Sequence, residues 1–262
     1  MFGHDFGFTT LGARRGKTAF SPGKLPGLVA WYDPSDLSTL YQDTAMTVPV
    51  TAAGQAVAAI RDKSGNGAHM LQAAASKRPI YQVAGGLKYI EFDGVDDGMS
   101  AAACPMAGAD EVPLSTAVRG VATGTIGTLC ELSAISSNTA GTFGFFEEGV
   151  QTGAVTWRSK GTADSLQTVA RGAVLPATSV YSCMGKISTD LSVVRRNGAV
   201  LLSAAADQGS GAFISGALYL GARGGSTYFF RGNLYGMCLL NKVQTAPDIL
   251  RLETYWSQKA GL

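Results

Sequence analysis

The chain is poor in charge. Only 15% of its 262 residues are Asp, Glu, Lys or Arg, against about 25% in an average soluble domain. That weighs against a free, highly soluble enzyme and suits a protein packed against partners. The formal net charge is +2, so bulk electrostatics supply no nucleic-acid or acidic-membrane partner. Histidine is scarcer still, at two residues, His4 and His69. A Ser-His-Asp triad would have to use His69, and no G-x-S-x-G elbow accompanies it. None of the four cysteines, Cys104, Cys130, Cys183 and Cys238, forms a C-x-x-C pair, which disfavours zinc. Three lie in apolar runs ("GTLCELS", "VYSCMGK", "YGMCLLN") and read as buried, reduced thiols. No apolar run approaches the roughly 18 residues of a membrane span. The first residues lack the apolar core of a signal peptide.

Glycine, by contrast, is abundant at 34 residues. Short apolar or alternating runs recur between glycine-rich turns: "LVAWY", "YIEF", "TAVRGVAT", "TIGTLCELS", "TFGFFEE", "AVTWRS", "SLQTVAR" and "SVYSCMGKI". This is the pattern of many strands joined by tight turns. The clearest hairpin is "LSVVRRNGAVLLSA", whose Asn197-Gly198 pair accepts the positive φ that both central positions of a two-residue turn require. "ALYLGA" and "YFFRGNLYGMCLL" add two more strands. One helix closes the chain. Thr245 is its expected N-cap, with Asp248 three residues on. Ile249, Leu252 and Trp256 share one face, and Gly261 ends it. Many strands with no β-α alternation and one late helix predict an all-β fold: a two-sheet antiparallel jelly-roll sandwich with one C-terminal helix. Trp31 and Trp256 read as core residues.

Residues 1–24 differ from the rest. Phe2, Phe6, Phe8 and Phe20 lie among glycines, beside a basic group of Arg14, Arg15 and Lys17. No strand or helix period is visible. Exposed phenylalanine rings are unfavourable in water, each worth about 1.5–3 kcal/mol when buried. The segment is therefore expected to be an anchoring arm. Phe2, Phe6 and Phe8 would insert into a partner protein, with Arg14, Arg15 and Lys17 at the rim. Residues 25–262 form the sandwich domain.

The order of motifs is more telling than any one of them. "GLVAWYDPSDLSTLYQD", "DKSGNGAHMLQAAASKRPIYQ" and "YIEFDGVDD" are followed by "RRNGAVLLS" and "LYLGARGGSTYFFRGNLYGMCLLNK". Over residues 26–262 this resembles the concanavalin A-like (laminin G-type) jelly roll, in the version found in tailed-bacteriophage virion proteins. One departure is Ala68, where the family often has Asn. The resemblance implies a non-catalytic virion structural protein, a capsid decoration or tail appendage assembled in the host cytoplasm. Its partners would be other virion proteins, further copies of itself and host-surface glycans. A receptor-binding lectin at a tail tip is the alternative, and a glycan hydrolase on the same fold a more distant one.

Four candidate sites follow. In "DKSGNG", Asp62 and Asn66 can bond backbone amides within a turn; the functional counterpart is a Ca²⁺ loop, for which one Asp and one Asn make a thin ligand shell. In "EFDGVDD", Glu91, Asp93 and Asp96 resemble the E-x-D-x-x-E catalytic strand of retaining glucanases. Such enzymes need two carboxyl groups about 5–5.5 Å apart. Here Asp96 replaces the last Glu, and Gly94-Val95 reads as a turn, so no catalytic residue is assigned. No cofactor or metal is expected. The "GARGGS" glycines open no helix and are not a nucleotide loop. Glycan recognition needs aromatic faces and polar groups, and the candidates are Trp157 with Arg158, and Arg223 with Tyr228.

Overall fold

A computed structural model describes residues 20–135, 138–148, 154–163, 166–171 and 174–262. Strand β1 spans Leu28–Tyr32, β2 Leu40–Tyr41, β3 Ala59–Ile60, β4 Met70–Leu71, β5 Ile80–Ala84 and β6 Leu87–Asp93. Next come β7 (Met99–Cys104), β8 (Glu111–Gly120), β9 (Ile126–Leu132), β10 (Thr142–Glu148), β11 (Ala154–Lys160) and β12 (Leu166–Arg171). The last five are β13 (Ala177–Lys186), β14 (Leu191–Arg196), β15 (Ala199–Ala204), β16 (Gly216–Leu220) and β17 (Arg231–Leu240), before helix α1 at Ala246–Ala260.

The strands form two antiparallel sheets. One has eight strands in the order β15-β14-β13-β8-β17-β6-β5, with β1 also paired to β17. The other has nine, in the order β12-β11-β10-β9-β16-β7-β4-β3-β2. The main core lies between them and includes Tyr32, Phe92, Leu129, Phe143, Phe145, Trp157, Tyr181 and Phe230. This is the sandwich expected from the strand pattern. Among the described residues no helix is long and apolar enough to cross a membrane.

The hairpin at Asn197-Gly198 forms as expected, with φ of 48° and 86°. Asn197 adds a contact of its own: its side-chain oxygen accepts the Val180 amide at 2.8 Å. Helix α1 also starts and stops where its sequence says. Thr245 Oγ1 accepts the Asp248 amide at 3.4 Å, and Gly261 closes the helix in the left-handed region at φ 72°. The helix packs outside the eight-stranded sheet, on β8, β13 and β17. Its buried residues are Leu252, Glu253, Trp256 and Ala260, whereas the expected Ile249 is only half-buried. Glu253 is accommodated because Arg195 of β14 bonds it twice, at 2.8 and 3.1 Å. Such a paired, two-point contact offsets the desolvation that would otherwise exclude a buried carboxylate.

The "WYDP" stretch ties the helix to β1. Asp33, buried, accepts the Tyr255 hydroxyl at 3.0 Å and Lys259 Nζ at 3.1 Å. Burial alone would push its carboxyl up, but the Ser35 hydrogen bond and the charges of Lys259 and Lys63 hold it below the usual carboxylate range. Trp31 is half-buried and not a full core residue, because Lys63 Nζ lies over its ring at 4.4 Å. All four cysteines are buried and free.

Domain packing begins earlier than residue 25. Phe20 meets Tyr255 edge-on with centroids 6.2 Å apart, and Pro22 and Leu25 are buried. Phe20 therefore packs on the C-terminal helix. The proposed anchoring residues Phe2, Phe6, Phe8, Arg14, Arg15 and Lys17 lie outside the described residues.

Candidate functional site

Strands β10 and β11 build the most distinctive surface. Successive strand residues point to opposite faces. Phe143 and Phe145 of β10, with Val155 and Trp157 of β11, point into the core. Gly144 faces Arg158 across the ladder, and Phe146 faces Thr156, all on the outer side. A register shift between Phe145 and Phe146 against β9 brings Phe146 opposite Thr128. An irregularity of this kind re-aims a side chain. Alternation alone puts Phe145 in the core and Phe146 on the other face; the shift sets Thr128, and not Leu129, opposite Phe146.

This corrects one expectation. Trp157 and Arg158 were paired as a single glycan-binding candidate, yet as neighbours on a strand they face opposite ways. Trp157 is fully buried, with its ring 5.8 Å from Phe143. It is a core residue and presents no face to a sugar. Arg158 lies on the outer side.

The loop after β16 reaches back over the same face. Gly224 and Gly225 sit at φ 56° and 68° and let "ARGGST" turn sharply, closed by the Arg223 amide on the Thr227 carbonyl at 2.8 Å. The "GARGGS" glycines thus serve a turn and open no helix. Thr128 then bridges to Phe229, and its amide bonds the Tyr228 carbonyl at 2.7 Å. The result carries Arg223 and Tyr228 to Arg158.

Arg223 is the centre of the cluster. Its guanidinium lies 4.9 Å from the Phe146 ring centroid and 4.8 Å from that of Tyr228. Its Nε bonds Glu131 Oε2 at 3.2 Å, and Glu131 is fully buried. Arg158 lies 5.4 Å from the other side of the cluster, over Phe146. Burial, and then the Arg223 charge, lower Arg158 from its ordinary value. Ile126, Phe146, Thr156, Arg158, Arg223 and Tyr228 enclose a recess of about 90 Å³. Of its lining, Arg158 Nε and Thr156 Oγ1 are buried without hydrogen-bond partners among the described residues, as is Thr128 Oγ1 opposite Phe146. Tyr228 stands at the rim, 45% exposed, with φ 51°. A bulky residue in the left-handed region is an outlier that its surroundings must hold in place.

The structure thus brings three of the residues singled out in the sequence, Arg158, Arg223 and Tyr228, onto one face. Phe146, Glu131, Thr128 and Thr156 were not. The double phenylalanine of "TFGFFEE" was their available signal, since strict alternation cannot bury both rings in one core.

The two acidic turns have a different character. Asp62, buried, accepts four hydrogen bonds: Trp31 N at 2.9 Å and Ser64 N at 2.8 Å on Oδ1, Ser64 Oγ at 2.6 Å and Ala68 N at 3.3 Å on Oδ2. The structural reading of this turn holds for Asp62. Asn66 works in the opposite sense to the one expected. It donates, from Nδ2 to the carbonyls of Leu28 and Val29 at 2.9 and 3.0 Å. His69 Nδ1 accepts the Asp62 amide at 3.0 Å, so it too is structural.

In "EFDGVDD" the carboxylates close a turn reciprocally. Asp93 Oδ1 accepts the amides of Val95, Asp96 and Asp97 at 2.8, 3.3 and 3.4 Å, while Asp97 Oδ2 accepts the Asp93 amide at 2.9 Å. Glu91 takes a hydrogen bond from Gln82 at 3.0 Å. Glu91, Asp93 and Asp97 line an open groove of about 500 Å³ with Arg119 and Arg231. Asp97 is the perturbed group. Burial, then the neighbouring carboxylates, push it up to about 6. The carboxylate oxygens of Asp93, Asp96 and Asp97 lie within 4.8 Å of one another, but the hydrogen bonds above account for the geometry as a turn.

No family model matches the chain, and no curated protein sequence matches it. Solved structures do. The receptor-binding domain of the botulinum neurotoxin C/D mosaic serotype superposes with a TM-score of 0.59 at 10% identity, over 87% of this chain and 51% of that one. The type C neurotoxin, whose cell entry is described as dependent upon interaction with two ganglioside molecules, gives 0.56 at 8% identity, over 88% and 51%. The likeness is one of fold. The chain spans about half the length of these domains. A carbohydrate-binding module of Ruminococcus gnavus IT-sialidase aligns with a TM-score of 0.44 at 16% identity, over 56% and 82%.

Proposed function

We propose that the chain is a non-catalytic, lectin-like module that offers the Arg158–Arg223–Tyr228 face to glycans. The observation that carries this reading is the recess itself. Three buried polar atoms of β9 and β11 lack partners, beside a half-exposed tyrosine ring held in an unfavourable backbone conformation. Buried polar groups are almost always paired, so a group of unpaired ones beside an aromatic face calls for a ligand that brings hydroxyls or other polar atoms. Sugars bring both those and a face for the ring. The ganglioside-dependent entry of a neurotoxin of similar fold supports such a use of the sandwich. The turn-closing roles of Asp93 and Asp97 support the absence of hydrolysis.

Tyr228→Gly is the cleanest test, because glycine accepts φ 51° and removes only the ring. The full chain should bind at least one glycan of an array, and Tyr228→Gly should lose tenfold or more of that affinity with its melting temperature preserved. An array without binding, or a variant that binds undiminished, would overturn the reading.

The setting we propose is a tailed-bacteriophage virion. Residues 1–24 would engage other virion proteins, and further copies of the chain would sit alongside. Its support is the order of the Trp31–Asp33, Asp62–His69 and Phe92–Asp97 motifs. Mass spectrometry of particles purified from the producing host should detect the chain. Its absence would refute the setting and leave the glycan reading standing.

A further inference from the structure

Charge at the recess is unbalanced. Two guanidinium groups, Arg158 and Arg223, flank the Phe146 ring at 5.4 and 4.9 Å. One carboxylate, Glu131, answers them, and it bonds Arg223. Arg158 has no such partner among the described residues: its Nε is buried without a hydrogen bond. The Arg223 charge further disfavours its ionised form. A half-buried guanidinium next to a second one, with an unused N–H, is stabilised by an incoming anion. Arginine's planar fork bonds oxyanions such as a carboxylate at two points.

Size narrows the choice. The recess is small, about 90 Å³, and takes a small charged group such as a carboxylate. The ring of an acidic sugar would stay outside, where Tyr228 offers a face that is 45% exposed. The unpaired hydroxyls of Thr128 and Thr156 can donate to the second carboxylate oxygen.

Building on the glycan-binding reading above, we infer that the site selects carboxylate-bearing sugars, uronic or sialic acids, with the carboxylate seated between Arg158 and the two threonines. Arg223 and Phe146 form the wall of the seat. Tyr228 stacks on the ring.

Isothermal titration of the full chain tests this with three probes: an oligogalacturonate or sialylated oligosaccharide, its carboxyl-reduced alcohol, and a sulfated oligosaccharide of similar length. The acidic probe should bind at least tenfold more tightly than its reduced form, and less tightly at high salt. Arg158→Gln should abolish that difference without lowering the melting temperature, since no hydrogen bond to Nε is lost. Tyr228→Gly should weaken both forms. If acidic and reduced probes bind equally and Tyr228→Gly still abolishes binding, the carboxylate assignment is wrong while the glycan-binding reading survives. Preference for the sulfated probe would likewise overturn the assignment. Binding of no probe, on a background of no binding to any arrayed glycan, would remove both.

Discussion

Replacing Asp62 separates a self-sufficient turn from a metal loop. Its carboxylate oxygens accept three backbone amides, from Trp31, Ser64 and Ala68, and one hydroxyl, from Ser64. Asp62→Ala strands all three amides. An unsatisfied buried group costs about 1–3 kcal/mol, and a hydrogen bond to a charged acceptor contributes about 1.5–3 kcal/mol. The Ser64 amide can turn to water, because the neighbouring residues Gly65–Gly67 are exposed. The amides of Trp31 and Ala68 cannot do so easily, since Ala68 is 1% exposed. The expected loss is therefore about 3–5 kcal/mol. Asp62→Asn is milder. Its oxygen keeps the Trp31 and Ser64 amides, and its NH₂ can donate to Ser64 Oγ, whose own proton already has an alternative acceptor in the Val29 carbonyl at 2.9 Å. Only the Ala68 amide, at 3.3 Å, meets a donor, so about 1–2 kcal/mol is expected. Urea denaturation with linear extrapolation resolves these values. Costs below about 1 kcal/mol for Asp62→Ala would refute the hydrogen-bond account. So would a wild-type melting temperature that falls in EDTA and recovers with Ca²⁺.

Wild-type protein should release no reducing sugar from bacterial surface polysaccharides. Glu91→Gln and Asp93→Asn should accordingly leave nothing to lose; hydrolysis abolished by Glu91→Gln would prove an enzyme. Stability should fall as pH rises from about 4 to 7. Burial raises Asp97 to about 6 and Glu147 to about 7, above their unfolded values, so their stabilising protonated forms are lost as pH passes those values. Asp97→Asn should flatten its share of the slope, about 1–3 kcal/mol, and an unchanged pH profile would contradict the burial of that carboxyl. Deleting residues 1–19 should leave a folded sandwich, because the two sheets and their core are built from Phe20 onward among the described residues. If the shortened chain still joins particles as well as the full chain, residues 1–19 are not its anchor.

The sandwich was legible because turns are local. Asn197-Gly198 and the glycines around Asp62 and Asp93 need only their own backbone to declare a reversal. The helix was legible for the same reason, through Thr245 and Gly261. What crossed between strands was not. Nothing in "TFGFFEE" alone says that a register shift in β9 sets Thr128 opposite Phe146. The burial of Glu131 depends on Arg223, 92 residues later. The opposite directions of Trp157 and Arg158 were legible from alternation, and only their pairing as one site obscured it. Asn66 shows a different limit. An amide side chain both donates and accepts, so composition cannot fix the direction of its bond until β1 carbonyls are known to lie beside it.

The contrast between the two kinds of loop also bears on where function lies. The Asp62 and Asp93 turns look chemical, being dense in carboxylates, yet their acceptors are occupied by their own amides. A turn that satisfies itself has little left to offer a ligand. Around Phe146 the relation is reversed. A register shift, a tyrosine at φ 51° and three buried polar atoms without partners lie on one small patch. Each costs folding free energy, about 1–3 kcal/mol for the backbone strain and a similar amount for each unpaired group. None is needed for the sheets to stack, since the core residues Phe143, Phe145, Val155 and Trp157 all face the other way. Local departures from good folding that coincide in space, and that the core does not require, are where binding belongs. The carboxylate-rich turns that first draw the eye hold the fold, and the plainer stretch "TFGFFEE…AVTWRSK" carries the surface we propose for a ligand.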